Sequence, residues 1–237
     1  EQIRHSQRLN MIGEMAGNFA HDLKNIIMVI GGFSKRLHKN AVSDSKEEEY
    51  LRHICASVDK ASRLTNGLLT FGRKQPSNPT VFDLNELIID YKDLLIKILD
   101  SDEIKVVINL CTEPLLIYAD YVQIEQVFMN LASNAKDAME EGGIFTITTD
   151  RQISSDQGGD SYYCLATISD TGCGMNEEAC TKVFDPFYTT KEPGKGTGLG
   201  LSIVYGIIQQ HKGIITCESE AGKGTVFKIM LPLNQDE

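Results

Sequence analysis

The chain has 237 residues, 41% hydrophobic and 24% charged, the balance of a globular protein with room for two small domains. A net charge of −10 excludes a general affinity for nucleic acid, because a phosphate backbone would be repelled on average. No run of eighteen apolar residues occurs, so no membrane contact is expected of this stretch of chain. The six cysteines, without C-x-x-C or metal-ligand spacing, read as reduced thiols of a cytoplasmic protein. The chain opens at Glu1 already inside a helical pattern, as a piece of a longer protein would.

In chain order, Ile12, Met15, Phe19, Leu23, Ile26, Ile30, Phe33 and Leu37 recur at spacings of three and four, a stripe sustained over about four heptads. Polar "HKNAVSDSKEEEY" follows, with Asp44 and Glu47 set as a capping box for a second helix. That helix carries Leu51, Ile54, Val58, Ala61, Leu64, Leu68 and Phe71. Two such helices make an α helical hairpin with little core of its own. Pairing two copies into a dimeric four-helix bundle would bury both stripes. A homodimer through residues 1–75 is therefore expected.

"RKQPSNPT" breaks the pattern with two prolines and reads as a linker, which divides the chain into 1–75 and 76–237. Beyond it the signals alternate between helix and strand. Asp83 and Glu86 cap a helix through Leu99, "KVVINL" is a strand, and Asp120 and Gln123 cap "YVQIEQVFMNLASNAKDAM". Strands "IFTITTD" and "YCLATIS" precede a glycine-rich region that ends in helix "LSIVYGIIQQH", with Gly213 as its expected C-cap. Strands "IITCESE" and "TVFKIMLPL" close the chain around the hairpin turn "AGKG". The second part is thus an α/β layered domain of ordinary size.

Three glycine clusters stand in that domain: "DTGCGM", "GKGTGLGLS" and "AGKGT". Glycine lets backbone N–H groups approach a phosphate, and Gly196, Gly198 and Gly200 run into a helix whose N-terminus favours an anion. For "AGKGT" alone, a simple turn is the plainer reading. A P-loop is excluded, because glycine follows both G-K pairs and the positions five residues earlier are Thr189 and Cys217. The Rossmann spacing fails as well, since the third glycine comes one residue early. Asn130 and Asn134 stack on one helical face, and amide oxygens there could complete the shell of a phosphate-bound Mg²⁺.

Taken together in this order, the motifs resemble the catalytic core of the sensor histidine kinases of two-component signalling. "FAHDLKN" is similar to the family's H-box, "NLASNAKDAM" to its N-box, and "DTGCGM" to its first glycine box. "VFDPFYTTK" resembles the F-box, "GTGLGLS" the second glycine box, and "GKGTVFKIMLP" the last strand pair. The wording is closest to the nitrogen-regulation branch. The chain departs from many members at Ile26, where they carry proline. The resemblance implies an ATP-binding domain of the Bergerat type with a mixed sheet, using ATP and Mg²⁺. It further implies that Asp170 accepts from the adenine amino group, Gly172 and Gly174 admit the base, and Thr225 makes a water-linked adenine contact. Asn134 would hold Mg²⁺ beside Asn130. Lys191 and the backbone of Gly196, Thr197, Gly198, Leu199 and Gly200 would clamp the phosphates, with Lys136 a further phosphate contact. Met175 to Gly198 would form a mobile lid anchored by Phe187.

Asn130 separates two reaction types. ATPases that share this nucleotide fold carry a glutamate at the matching position to activate water. An asparagine cannot act as a general base near neutral pH, so transfer to another acceptor is favoured over hydrolysis. The alternative is an ATP hydrolase or nucleotide-gated conformational machine of the same fold; an inert docking scaffold is a third reading.

His21 lies two residues from Phe19 and two from Leu23, so at about 100° per residue it points away from the apolar stripe. A neutral imidazole is available at pH 7 for attack on a phosphoryl group. Asp22 can hold its Nδ1–H, leaving Nε2 as the nucleophile, and Asn25 lies one turn along on nearly the same face. In the family the neighbouring acid acts as base in autophosphorylation. The residue at the Asn25 position orients a water against the phospho-aspartate of the response regulator's receiver domain.

Overall fold

The computed structural model describes Leu23, 26–38, 46–55, 57–58, 61, 78–99, 103–156, 159–191 and 196–234. The chain divides into two compact units, Glu1–Gln75 and Pro76–Glu237.

In the first unit, residues 26–38 (α1) and 46–55 (α2) are helical. The side of α1 that is buried carries Ile27, Gly31 and Ser34, with the Ser34 hydroxyl donating to the Ile30 carbonyl at 2.7 Å. A Cβ on Gly31 would stand 2.9 Å from Cγ1 of Val58, so glycine is what lets these residues approach. The apolar stripe read from the sequence lies elsewhere on the helix. Ile26, Ile30, Phe33 and Leu37 are 47–63% exposed in the single chain. The expected capping box at Asp44 falls outside the described residues.

The second unit is a mixed five-stranded sheet with a helical layer. Its elements in order are β1 (Thr80–Asp83), α3 (Leu84–Leu99), β2 (Ile104–Asn109), β3 (Leu116–Ala119), α4 (Tyr121–Ala138), β4 (Gly143–Asp156) and β5 (Gly159–Asp170). After these come α5 (Glu177–Lys182), α6 (Gly200–Gln210), β6 (Ile214–Glu220) and β7 (Gly224–Pro232). The sheet order is β2-β4-β5-β7-β6; β2 and β4 run parallel and every other pair antiparallel. Alternate residues of the central strands are buried, among them Phe145 and Ile147, Cys164, Ala166 and Ile168, and Phe227, Ile229 and Leu231. Helix α4 packs between α3 and α6.

Local signals set the helix starts. The Asp120 side chain accepts from Gln123 N at 3.1 Å to cap α4, and Asp83 accepts from Asn85 N at 2.9 Å at the start of α3. Asp83 also accepts from Leu115 N, which brings β3 alongside β1 in a separate two-stranded sheet. Buried Asn85 donates to the carbonyls of Cys111 and Glu113 and accepts from the Thr149 hydroxyl at 2.7 Å, so α3, the loop after β2 and the sheet are pinned together. His211 joins the far ends of α6 and α4. Its Nε2 accepts from Asp120 N at 2.9 Å, which places the proton on Nδ1, 2.8 Å from the Ile207 carbonyl.

The end of α6 differs from expectation. The left-handed residue is Lys212 (φ 57°), not Gly213. Gly213 still closes the helix through its N–H to the Ile208 carbonyl at 2.9 Å. Glycine is required there by space, since a Cβ would lie 2.6 Å from the Met230 carbonyl oxygen.

Candidate functional site

Asp170 is the last residue of β5 and faces Thr225 across the ladder to β7. Both are nearly buried, at 9% and 5% exposure. Gly172 N donates to Asp170 Oδ1 at 2.9 Å. Burial pushes the Asp170 carboxyl up from its ordinary range, against the backbone N–H groups of Gly172 and Thr225, which pull it down. The result is a carboxylate held in place, poor in solvent and in need of a further donor.

Glycines allow the chain to close around it. Gly224 has φ +98°, and a Cβ there would fall 2.0 Å from the Asp170 carbonyl oxygen. Gly174 has φ +61° and is as tightly set against the Glu220 carbonyl. Gly172 lies against Ala138, and the next residue, Cys173, donates its N–H to the Ala138 carbonyl at 2.9 Å. The first glycine box is thereby seated on the end of α4.

The other end of the site lies along the same helix. Asn130, Asn134 and Ala138 succeed one another at four-residue spacing on one ridge of α4, spanning about 12 Å at 1.5 Å per residue. The Asn130 amide donates to the Gly200 carbonyl at a long 3.4 Å. Asn134 Nδ2 would be 3.9 Å from a Cβ on Gly200. Among the described residues no protein group hydrogen-bonds the Asn134 side chain. Gly200 opens α6, whose N-cap is Leu199 and whose first turn has no side-chain cap. Uncapped N–H groups and the helix dipole make that end attractive to an anion. Thr197 accepts from Leu199 N at 3.2 Å, and Gly198 has φ +65° with its carbonyl accepting from Phe187 N at 2.9 Å. Gly196 fits against the Thr189 hydroxyl.

The structure therefore brings Asp170, Gly172, Gly174 and Thr225 together at one end of the α4 ridge, and Asn130, Asn134 and the Gly196–Gly200 turn at the other. The separation suits a purine at the first and phosphates at the second. The site fits a divalent cation to the extent that, among the described residues, the Asn134 amide oxygen has no protein partner and α4 lies against α6, whose start attracts anions.

Three expectations change on inspection. Lys191 does not stand free over the α6 terminus: its Nζ is ion-paired with Asp137 on α4. Lys136 is two residues from Asn134, about 200° round the helix, and so lies off the ridge. Phe187 is not a packing anchor, being 53% exposed, because its left-handed backbone (φ 66°) turns the ring outward as its N–H meets Gly198. The anchoring ring is Phe184, 5.5 Å from the Tyr205 ring and 6.3 Å from that of Phe227, beside buried Val183. His21, Asp22 and Asn25 lie outside the described residues. Sequence reasoning passed over Asp137, Phe184 and Ser219. Asp137, three residues from Asn134, was the one with a visible helical signal.

Comparison with known proteins bears on the same segments. Residues 119–235 match the family described as histidine kinase-, DNA gyrase B-, and HSP90-like ATPase, and residues 11–77 match the His Kinase A (phospho-acceptor) domain. Sensor kinase CckA of Brucella abortus (strain 2308) is 40% identical over 98% of this chain and 25% of its own length. The catalytic domain of histidine kinase ThkA is 32% identical at a TM-score of 0.51, covering 66% of this chain and 96% of that one. Histidine kinase ThkA in complex with response regulator protein TrrA is 28% identical at a TM-score of 0.62, covering 99% and 65%. The chain spans between 25% and 52% of the length of the first curated relatives it matches.

Proposed function

The chain belongs to the histidine kinase family, and on that premise we propose that it transfers the γ-phosphoryl group of Mg–ATP to His21 and then to an aspartate of a response regulator. The observation that carries the ATP half is the α4 ridge, with a buried acceptor pair at one end and an uncapped helix N-terminus at the other. Asp170 and Thr225 take the base, and Gly172 and Gly174 admit it. The N–H groups around Gly196, Thr197, Gly198, Leu199 and Gly200 take the phosphates. Lys191, released from Asp137, is the auxiliary cation at the rim, and Lys136, off the ridge, adds only its charge at longer range. Asn134 would hold Mg²⁺, which would supply screening of the phosphate charge. Asn130 offers an amide and no base, so water is not activated and the phosphoryl group remains for the histidine.

At the acceptor, His21 attacks through Nε2 while Asp22 holds the Nδ1 proton and stabilises the developing charge. Asn25 positions a water for dephosphorylating the regulator. The exposed stripe of α1 supports a homodimer through residues 1–75, since 47–63% exposure at Ile26, Ile30, Phe33 and Leu37 is costly unless a second copy covers it. The domain border is set at 75/76. The "PFYTTK" and "SNAKDAM" wording supports the nitrogen-regulation branch. The receiver-domain partner rests on the ThkA–TrrA complex, and the use of ATP supports a cytoplasmic setting. Among the described residues no helix is long and apolar enough to cross a membrane.

Transfer is tested by isolating the labelled chain free of ATP and adding a receiver domain encoded beside it. Label should move to the receiver, and should fail to move when the receiver's acceptor aspartate is replaced by alanine. Release of free phosphate alone, with either receiver, would contradict the proposal.

A further inference from the structure

Ser219, on β6, lies directly opposite Thr225 on β7, so their side chains share one face of the sheet. Its hydroxyl is surrounded by three groups. It donates to the Gly224 carbonyl at 2.8 Å, accepts from Met175 N at 2.8 Å, and is 3.0 Å from Thr225 Oγ1. A serine hydroxyl has one proton and two lone pairs. Its proton is engaged by a carbonyl, which can only accept, and one lone pair is engaged by an N–H, which can only donate. The remaining contact then has one direction: Thr225 donates its proton to Ser219.

That direction matters for the neighbouring site. With its proton turned toward Ser219, Thr225 offers only lone pairs on its remaining side, next to the Asp170 carboxylate it pairs with across the ladder. Two acceptors side by side suit a purine whose 6-amino group meets them directly, and oppose a 6-oxo group with lone pair against lone pair. A Thr225 hydroxyl free to rotate would present its proton to a 6-oxo group and relieve that repulsion.

Resting on the ATP reading above, we propose that Ser219 is a positioning residue that locks the Thr225 hydroxyl as an acceptor and so sharpens the preference for 6-amino over 6-oxo purine nucleotides. Asp170 sets the sign of that preference; Ser219 adds to its size. The same hydroxyl holds Met175, and with it the loop bearing Gly172 and Gly174, against the β6–β7 hairpin.

The test is equilibrium binding of ATP and of inosine triphosphate to the 237-residue chain, with their affinity ratio as the readout. Ser219→Ala should shrink the preference for ATP by about five- to ten-fold, the scale of one hydrogen bond. Ser219→Thr, which restores the hydroxyl, should keep the wild-type ratio. Thr225→Val should lower the ratio on its own and abolish any further effect of Ser219→Ala, because Ser219 acts through Thr225. An unchanged ratio in Ser219→Ala, or in Thr225→Val should Ser219→Ala not fold, would overturn the proposal. So would equal weakening of both nucleotides, which is what a merely structural serine gives. Wild-type chain that binds neither nucleotide would remove the ATP reading itself, whereas ATP binding with a ratio indifferent to Ser219 would remove only this inference.

Discussion

Lys191 is ion-paired with Asp137, one helical turn beyond Asn134, so the cation at the rim of the phosphate end is occupied by the protein's own carboxylate. The two side chains are 33% and 46% exposed. A pair in that setting contributes on the order of 0–1 kcal/mol to stability. It can therefore open at little cost when a better anion arrives.

Asp137→Asn should leave the melting temperature almost unchanged while strengthening ATP binding by roughly two- to five-fold, because one negative charge leaves the rim and Lys191 is released. The gain should fade between low and high salt. Titration calorimetry at two ionic strengths checks it, and a loss of affinity in Asp137→Asn would mean that the pair itself shapes the site.

Asp170 carries a pH dependence whose sign follows from burial. Its folded pKa is raised, so the folded chain retains this proton where the unfolded chain has lost it. The contribution favours folding below the ordinary carboxylate value of 3.8 and is lost as pH rises through the raised value. At neutral pH the empty site pays for a buried charge. Asp170→Asn should therefore gain in melting temperature relative to wild type as pH goes from 4 to 8, while losing ATP binding. A difference that shrinks with rising pH would contradict this.

Gly224 and Gly222 sit two residues apart in one turn, both with positive φ, yet only one is hemmed in. A Cβ on Gly224 meets Asp170 backbone at 2.0 Å, whereas one on Gly222 meets nothing within 4 Å. Gly222→Ala should cost about 1–2 kcal/mol, the price of the left-handed conformation alone. Gly224→Ala should prevent the β5–β7 closure, with loss of cooperative unfolding in a calorimetric scan. Equal effects of the two substitutions would contradict the packing described.

For the first unit, Phe33→Glu places a charge in the exposed stripe, and Ile27→Glu places one on the buried side. Phe33→Glu should yield a monomer of unchanged helix content by sedimentation and circular dichroism. Ile27→Glu should lose helix content. A Phe33→Glu chain that still sediments as a dimer would mean that another surface joins the copies.

Much of the fold could be read in advance because its signals are local. The Asp83 and Asp120 caps act within three residues, and the limits of β6 follow from alternation and a glycine turn. Four-residue β1 and β3 escaped because "TVFD" and "LIYA" are too short for periodicity; Asp83 sets their pairing at long range, and Asn234 N on the Leu116 carbonyl ties β3 to the chain after β7. Short α5 escaped for the same reason, though Asn176 caps it through Ala179 N. In the site, Asp170, Gly172, Gly174, Asn134 and Thr225 carried motif spacing. The Lys191–Asp137 pair joins residues 54 apart, and the Ser219 contacts depend on which strand lies beside which. The helical spacing of Asp137 does not name its partner, and the Ser219 contacts await the sheet order, so neither contact could be read from spacing alone. Phe187 and Phe184 show the limit within one motif, where the Phe184 ring packs on Tyr205 and Phe227 while left-handed Phe187 is exposed, and composition does not tell the two apart.

The central claim is that His21 receives the phosphoryl group. The most direct measurement incubates the 237-residue chain with γ-labelled ATP and Mg²⁺ beside its His21→Ala variant, then treats both with acid and with base. The account predicts label on the wild-type chain alone, lost in acid and stable in base, as a phosphohistidine is. Free phosphate released equally by both chains, with no label on either, would contradict it.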